Sequence, residues 1–339
     1  MNIGIFDHLD RNDLPLHDFY EQRFQIAEAY DAAGFYSYHV AEHHSTPLGM
    51  APSPGIFLSS LAQRTRRLRF GPLVYLLPLY HPLRLAEEIA MLDQISGGRL
   101  DVGIGRGISS LEATLYGADP KLSLELFEEC LTVLRSAFAS DRVAHSGKHY
   151  TYNDVPMTVT PLQRPHPPLW YGMSSTDGAF RCAQRGFNGL TLEEPDRATE
   201  IVSRFMQGVP DGSHRHVGIG RFVVVAGDDR TALERARRAY RRWHASFHQL
   251  PHAYGHKLVQ GDRPLEFDEI IEQGTGIAGS IETVSAAIRS QLEQTKANYF
   301  MGQFVFGDLS LAESLESIAL FSPLIKQLTS ERAKSHATS

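Results

Sequence analysis

The stretch LRFGPLVYLLPLYHPLRLAEEIAMLDQISGGRLDVGI, residues 68–104, reads as strand, helix and strand in turn. Leu68 to Leu76 is a short apolar run of strand length. Pro82 opens a helix that runs to Ile95, with proline in the first turn, where its missing N–H costs nothing. Leu100 to Ile104 is a second strand. A strand, a long crossover helix and another strand make a parallel pair.

The same unit recurs on both sides. Upstream, Ile3 to Phe6 is a strand, and a helix runs from about Leu16 to Ala33 with Ile26, Tyr30 and Ala33 at helical spacing and Gly34 as its stop. Tyr36 to Ala41 is the next strand, followed by a helix from about Gly55 to Arg64. Downstream, Phe127, Cys130, Leu131, Leu134 and Phe138 mark one face of a helix. Strands are then expected at Leu169–Met173, Gly189–Leu192, Gly220–Ala226 and Asn298–Val305. Helices are expected at about Asp177–Arg185, Ala198–Gln207, Thr231–Phe247 and Ser310–Leu328. Eight alternations in this length favour an α/β fold of the closed (β/α)8 barrel type with insertions over an open sheet. The insertions are residues 141–168, which include a candidate hairpin, and 250–279, from which a helix at about Ile281–Thr295 leads into the last strand. Residues 1–330 are expected to form one domain, and 331–339 a polar tail.

Composition narrows the function. The 339 residues are 42% hydrophobic and 21% charged, which supports a large core and argues against disorder. Lys plus Arg number 33 against 39 acidic residues, a net charge of -6, so no nucleic-acid partner is expected. Two cysteines, Cys130 and Cys182, make neither a disulfide framework nor a four-cysteine zinc site. Met1 to Leu14 has no secretory pattern. The longest apolar stretch, Phe70 to Tyr80, is too short to span a bilayer and holds two prolines. A reduced, cytoplasmic chain with no membrane association is the expectation.

In a barrel of this kind, reactive groups sit at the C-terminal ends of the strands. That rule selects Asp7 and His8, then Glu42-His43-His44, then Pro78, Tyr80 and His81, then Gly105, Arg106, Gly107 and Ser109. Ser174, Ser175, Thr176 and Gly178 complete the set. Of two adjacent histidines, only one can face the mouth, where it could shuttle protons near neutral pH; the alternative is two ordinary loop residues. Gly103-Ile104-Gly105-Arg106-Gly107 misses the dinucleotide fingerprint because position 108 is Ile. It leaves a glycine-rich strand end with one arginine, suited to a phosphate or simply a solvated turn. Met173 to Gly178 is a strand-to-helix turn whose free N–H groups could hold an anion or be capped by Ser175 or Thr176. Above neighbouring strands, Arg106 and this helix start could meet on one phosphate. His214-Arg215-His216 precedes a strand and so lies at the wrong rim for a barrel metalloenzyme, and no metal is expected.

The ordered set Ala41-Glu42-His43-His44, residues 76–88, residues 92–100 and Gly103–Gly107 resembles the bacterial luciferase family of flavin-dependent monooxygenases. Weaker likeness continues through Ala183–Gly186, Gly279–Val284, Asn298-Tyr299 and Phe306-Gly307, so it covers nearly the whole chain. The strongest part is similar to the luciferase catalytic subunit.

That resemblance implies a dimeric (β/α)8 barrel binding FMN, or the deazaflavin F420, at the C-terminal mouth. By position it implies His43 as catalytic, Arg106 on the flavin phosphate, and Ser174, Ser175 and the backbone at Gly178 as the rest of the phosphate cradle. It also implies a non-prolyl cis peptide at Leu73–Val74 under the flavin ring. The implied chemistry is that of reduced FMN with O2, through a flavin C4a-peroxide, on a small organic substrate. No second, NAD-binding domain is recognisable, so a separate NAD(P)H:flavin reductase is implied. The rivals are an F420-dependent hydride-transfer enzyme on the same fold, a flavin-binding subunit without catalysis, and a metal hydrolase. Gly105 stands where the luciferase subunit has a reactive cysteine, and the loop after the seventh strand is unlike luciferase; light emission is not expected.

Overall fold

The computed structural model describes residues 1–107, 109–256 and 262–336. Strands β1 (Asn2–Asp7), β2 (Ser37–Val40), β3 (Arg69–Pro72), β4 (Tyr75–Leu76) and β5 (Val102–Gly105) alternate with helices α1 (Leu16–Ala33), α2 (Pro54–Arg64) and α3 (Pro82–Ser96). A short α4 (Ser110–Leu115) and the long α5 (Ser123–Ala139) follow, then β6 (Arg142–Ser146) and β7 (Thr151–Pro156). The second half holds β8 (Leu169–Gly172), α6 (Thr176–Gln184), β9 (Asn188–Thr191), α7 (Pro195–Gly208), β10 (Val217–Val225) and α8 (Asp229–Ala253). It ends with α9 (Phe267–Glu272), β11 (Gly276–Gly279), α10 (Ile281–Thr295), β12 (Tyr299–Gln303) and α11 (Leu311–His336).

The parallel strands run in the order β3-β2-β1-β12-β10-β9-β8-β5-β4. A parallel bridge between Phe70 and Leu100 joins the two ends, with the Asp101 N–H donating to Phe70 O at 2.8 Å. β3 and β4 are two halves of one stave, so the sheet is the eight-staved (β/α)8 barrel. Outward residues such as Ile3, Ile5, Val40 and Phe70 pack into the helical layer. Inward residues Phe6, Ala41, Trp170, Leu190, Tyr299 and Met301 form a separate cluster within the barrel.

Several expectations need correction. The third strand is not continuous from Leu68 to Leu76: it breaks at a cis peptide between Leu73 and Val74, the bond the resemblance singled out. Residues 250–279 are not a plain excursion. α8 extends to Ala253, α9 and β11 follow, and residues 257–261 lie outside the described residues. Even-numbered residues of β10 address β9, since the Gly189 N–H donates to His216 O; the Phe222 N–H on that same edge donates to Thr275 O. β11 therefore takes up the edge that β9 leaves at Thr191. The tail read at 331–339 is helical to His336, and 337–339 lie outside the described residues. The candidate hairpin within 141–168 is present as antiparallel β6 and β7. Cys130 and Cys182 are both free and buried, and burial pushes each thiol up to about 12.

Where β1 ends, a buried ionic cluster fixes the chain. Asp7 accepts hydrogen bonds from the Leu9 N–H at 2.7 Å, the Tyr38 hydroxyl at 2.7 Å and Arg23 at 3.2 Å. Asp10 lies 3.8 Å from the same guanidinium and accepts the Gly307 N–H at 2.6 Å. Burial pushes the Asp10 carboxyl up to about 7, against the pull of Arg23. Between its unfolded value near 3.8 and about 7, the folded chain holds a proton that the unfolded chain has released. Stability therefore falls as pH rises through that window. Asp10→Asn removes this term. Its stability gain over the parent should grow from pH 4 to pH 7.5 by roughly 1–3 kcal/mol, read by urea unfolding at each pH. A gain that is flat with pH would contradict the assignment.

Candidate functional site

The C-terminal ends of the strands open on a cavity of about 410 Å³. His43, Leu73, Val74, Arg106 and Ser174 all line it, so five of the seven residues singled out from sequence share one chamber. Ser175 and Gly178 do not line it. They meet each other at the start of α6, where Ser175 Oγ accepts the Gly178 N–H at 3.2 Å as a helix cap.

β2 ends at Val40, and the three residues Glu42-His43-His44 take separate directions. The His44 ring is buried, 2.8 Å from Glu42 Oε1 and 4.4 Å in ring centroid from Tyr116. His43 is 24% exposed and faces the cavity. Its Nδ1 lies 3.2 Å from Glu112 Oε1, and Glu112 Oε2 accepts the His44 N–H at 2.9 Å. An ionised carboxylate only accepts, so Nδ1 carries the proton and the bare Nε2 is left for the cavity. Burial works to raise the Glu112 carboxyl, but hydrogen bonding from His43 and from the His44 N–H more than offsets it and leaves the group below its usual range.

Glu112 was not among the residues singled out from sequence. It sits on α4, too short for a periodicity signal. Ser109 caps that helix, its Oγ accepting the Glu112 N–H at 3.2 Å. The Ser-x-x-Glu spacing is the signal that could have found it.

Glu42 is buried and also accepts from the Leu76 N–H at 3.2 Å and the Tyr80 hydroxyl at 3.0 Å. Burial raises its carboxyl despite these donors. It thereby binds the end of β2 to β4. The Leu73 N–H donates to Val40 O at 2.7 Å, which carries Leu73 and Val74 to the cavity floor. A Cβ on Gly105 would lie 2.5 Å from Val74 Cγ2, so the side chain under the cavity needs glycine across from it.

Arg106 follows directly on β5. It is exposed and has no hydrogen-bond or ion-pair partner among the described residues. β5 pairs directly with β8, which puts Arg106 beside Ser174 and the start of α6. An unengaged guanidinium, a hydroxyl and the first turn of a helix together make a donor set that fits a phosphate. Gly172 adds open space at the same place, since nothing lies within 4 Å of where its Cβ would be. The apolar floor of Leu73 and Val74 and the aromatic walls fit a flat ring system. Together these residues fit a phosphate joined to a flat ring system, the parts of a flavin mononucleotide.

The cavity wall also includes His8, Arg221, Trp243 and Gln303, none of them singled out as site residues. His8 was a rim candidate only. Histidines 244, 248 and 252 repeat every four residues along α8, a spacing that the sequence reading passed over; their rings follow one another at 3.9 and 5.4 Å. Among the described residues, no group of three or more His, Cys, Asp or Glu is arranged to hold a metal ion. Likewise, no described helix is long and apolar enough to cross a membrane.

Comparison with known proteins adds the following. The model of the luciferase-like monooxygenase family matches residues 1–299. An uncharacterized protein of Sinorhizobium fredii, y4wF, is 39% identical over 323 residues, covering 92% of each chain. The oxygenase component of the flavin-dependent trigonelline monooxygenase of Acinetobacter baylyi is 29% identical over 192 residues, 56% of this chain and 53% of that one. Among solved structures, monooxygenase RslO1 of Streptomyces bottropensis superposes with a TM-score of 0.85 at 25% identity, covering 95% of this chain and 98% of that one. Two more share the fold. The oxygenating constituent of 3,6-diketocamphane monooxygenase of Pseudomonas putida, solved with FMN, gives 0.75 at 19% identity, covering 95% and 96%. The F420-dependent tetrahydromethanopterin reductase of Methanopyrus kandleri gives 0.69 at 17%, covering 95% and 97%.

Two glycines test the packing at the cavity floor. Gly105→Ala should cost about 1–3 kcal/mol in urea unfolding, because Val74 has to move. Gly172→Ala, in open space, should change stability by less than about 0.5 kcal/mol. Equal effects from the two would refute the contact.

Proposed function

The chain belongs to the luciferase-like monooxygenase family, and from that premise we propose that it is the FMN-dependent oxygenase of a two-component system. On this reading a separate NAD(P)H:flavin reductase supplies reduced FMN. The name of the trigonelline enzyme, an oxygenase component, supports that arrangement. Bound FMN supplies the chemistry that activates O2 for insertion into a small organic substrate.

The observation that carries the reading is a single chamber with two kinds of group at two places. Arg106 with Ser174, beside the capped start of α6, holds the phosphate. Ser175 and Gly178 contribute through that helix start. Leu73 and Val74 support the ring, and the apolar walls keep water from the reacting face. His43, fixed at Nδ1 by Glu112, takes or gives a proton at Nε2. A subunit that only binds flavin has no use for an imidazole so oriented.

Arg106→Ala should weaken FMN binding by roughly tenfold or more, and riboflavin, which lacks the phosphate, much less. Equal losses for both flavins would sink the phosphate role. F420 binding more tightly than FMN would transfer the reading to a hydride-transfer enzyme.

His43→Ala should keep most of its FMN affinity yet lose turnover by about a hundredfold or more. His44→Ala should act mainly on stability, by depriving Glu42 of a partner. Product formation with reduced FMN, O2 and a turned-over substrate gives the comparison. The reverse order of the two variants would refute the assignment.

A further inference from the structure

Arg106 and Ser174 stand at the junction of β5 and β8. In the barrel order the junction of β12 and β1 lies directly across the cavity. Its wall is made by His8, just past β1, Gln303, the last residue of β12, and Trp243 of α8. The His8 ring is 5.6 Å from Trp243 and 5.8 Å from His43, centroid to centroid. All three side chains are at least nine-tenths buried, at 9%, 5% and 3% exposure.

Each of the three carries a buried polar atom without a hydrogen-bond partner: His8 Nδ1, Gln303 Nε2 and Trp243 Nε1. Unmet polar atoms are rare in a folded interior, and three on one wall call for a physical reason. Their types can be read. Trp243 Nε1 is a donor only, and the Gln303 amide nitrogen is a donor. His8 is kept neutral by burial first and by the nearby His43 next. The Gln303 side chain opposes both, the effect of an acceptor on the ring N–H; with Nδ1 unpartnered and the Gln303 nitrogen a donor, that acceptor is the amide oxygen and the ring proton sits on Nε2. Nδ1 of the neutral ring is therefore a bare acceptor.

From this juxtaposition, which rests on the reading of the cavity as the substrate chamber, we propose that His8, Gln303 and Trp243 form the polar subsite that recognises a phenolic hydroxyl of the substrate. A hydroxyl oxygen accepts from two donors while its proton goes to one acceptor, which satisfies all three atoms. A carbonyl takes the donors and leaves Nδ1 unmet. A carboxylate sets its charge against that lone pair. An ammonium faces two donors with none to accept from. Of the hydroxyls, a phenol gives the stronger proton to imidazole and brings the flat body that the walls of Phe6, Phe222 and Phe247 match. The three atoms are shut off from solvent, so the ligand meets them after side-chain rotation of the ordinary kind.

Calorimetric titration of the FMN-loaded protein with 2-naphthol, 2-methoxynaphthalene, 2-naphthaldehyde, 2-naphthoate and decahydro-2-naphthol tests this. 2-Naphthol should bind at least about tenfold more tightly than each of the others. That margin should vanish in Gln303→Leu and His8→Phe, and shrink in Trp243→Phe, which keeps the ring and loses only the indole N–H. Parity of the ether or the aldehyde with the naphthol, or failure of every ligand to bind, overturns the subsite. Parity of the decahydronaphthol overturns its phenolic character. A preference that survives all three substitutions overturns the assignment to this wall. Should a variant fail to fold, the ranking on the parent protein still decides. Should FMN fail to bind, the flavin reading falls, and the same ranking on the flavin-free protein decides this one separately.

Discussion

One buried guanidinium, Arg23, lies between two carboxylates where the first strand runs out, and the rim of the barrel is organised around it. Burial first, and the charge of Asp7 after it, raise the Asp10 carboxyl against the pull of Arg23, so Asp10 holds its proton to an unusually high pH. Removing Arg23 would cost far more than the cluster contributes, because it strands buried carboxylates without a counter-charge. The cluster also fixes geometry: it ties β1 to α1 through Arg23, to β2 through Tyr38 and to the turn after β12 through Gly307. His8 leaves β1 from within this clamp, and its ring can only turn inward, toward Phe6, His43 and Trp243.

The two carboxylates of the next layer are displaced in opposite directions for reasons of surroundings. Glu42 and Glu112 are both buried and both meet a histidine. For Glu42, burial prevails over donors from a hydroxyl, a backbone N–H and His44. For Glu112, on the cavity side, hydrogen bonds from His43 and the His44 backbone prevail. Adjacent residues in sequence thus divide the work. The Glu42–His44 pair joins β2 to β4, and the Glu112–His43 pair holds an imidazole by one nitrogen and leaves the other free.

How much of this was legible in sequence follows from the length of each signal. The long staves and helices announce themselves by periodicity, and the barrel follows from their count. Arg106, His43 and Ser174 follow from the rule that strand ends carry chemistry. β11 did not show, because Gly276-Ile277-Ala278-Gly279 has one large apolar residue in four and lies among glycines, histidines and prolines. α4 spans six residues, less than two turns. Trp243 and Gln303 were invisible for another reason. An aromatic on a helix and a polar residue closing an apolar strand each read as packing until the fold sets them against the same histidine. Ser175 was legible as a helix cap: its Oγ accepts the Gly178 N–H at the start of α6.

The chamber is therefore polarised by construction. Its β5–β8 side presents an unengaged cation and a helix start, groups that any nucleotide phosphate would satisfy, and they come from short turns with little freedom to vary. Its β12–β1 side presents neutral donors and an acceptor under aromatic rings, and part of it comes from the far end of α8 and the segment leading to β11. Pro251 and Pro264 from that segment line the cavity too. A barrel can keep the first side constant while the second is rebuilt, since insertions between β10 and β11 disturb no stave of the closed sheet. The physics of the two sides differs accordingly. Charge attracts a phosphate over several ångströms and tolerates imprecise placement, whereas unmet neutral hydrogen bonds discriminate only at contact. On the proposed reading, cofactor capture would be robust for that reason, and choice of substrate would fall to a few atoms on the opposite wall.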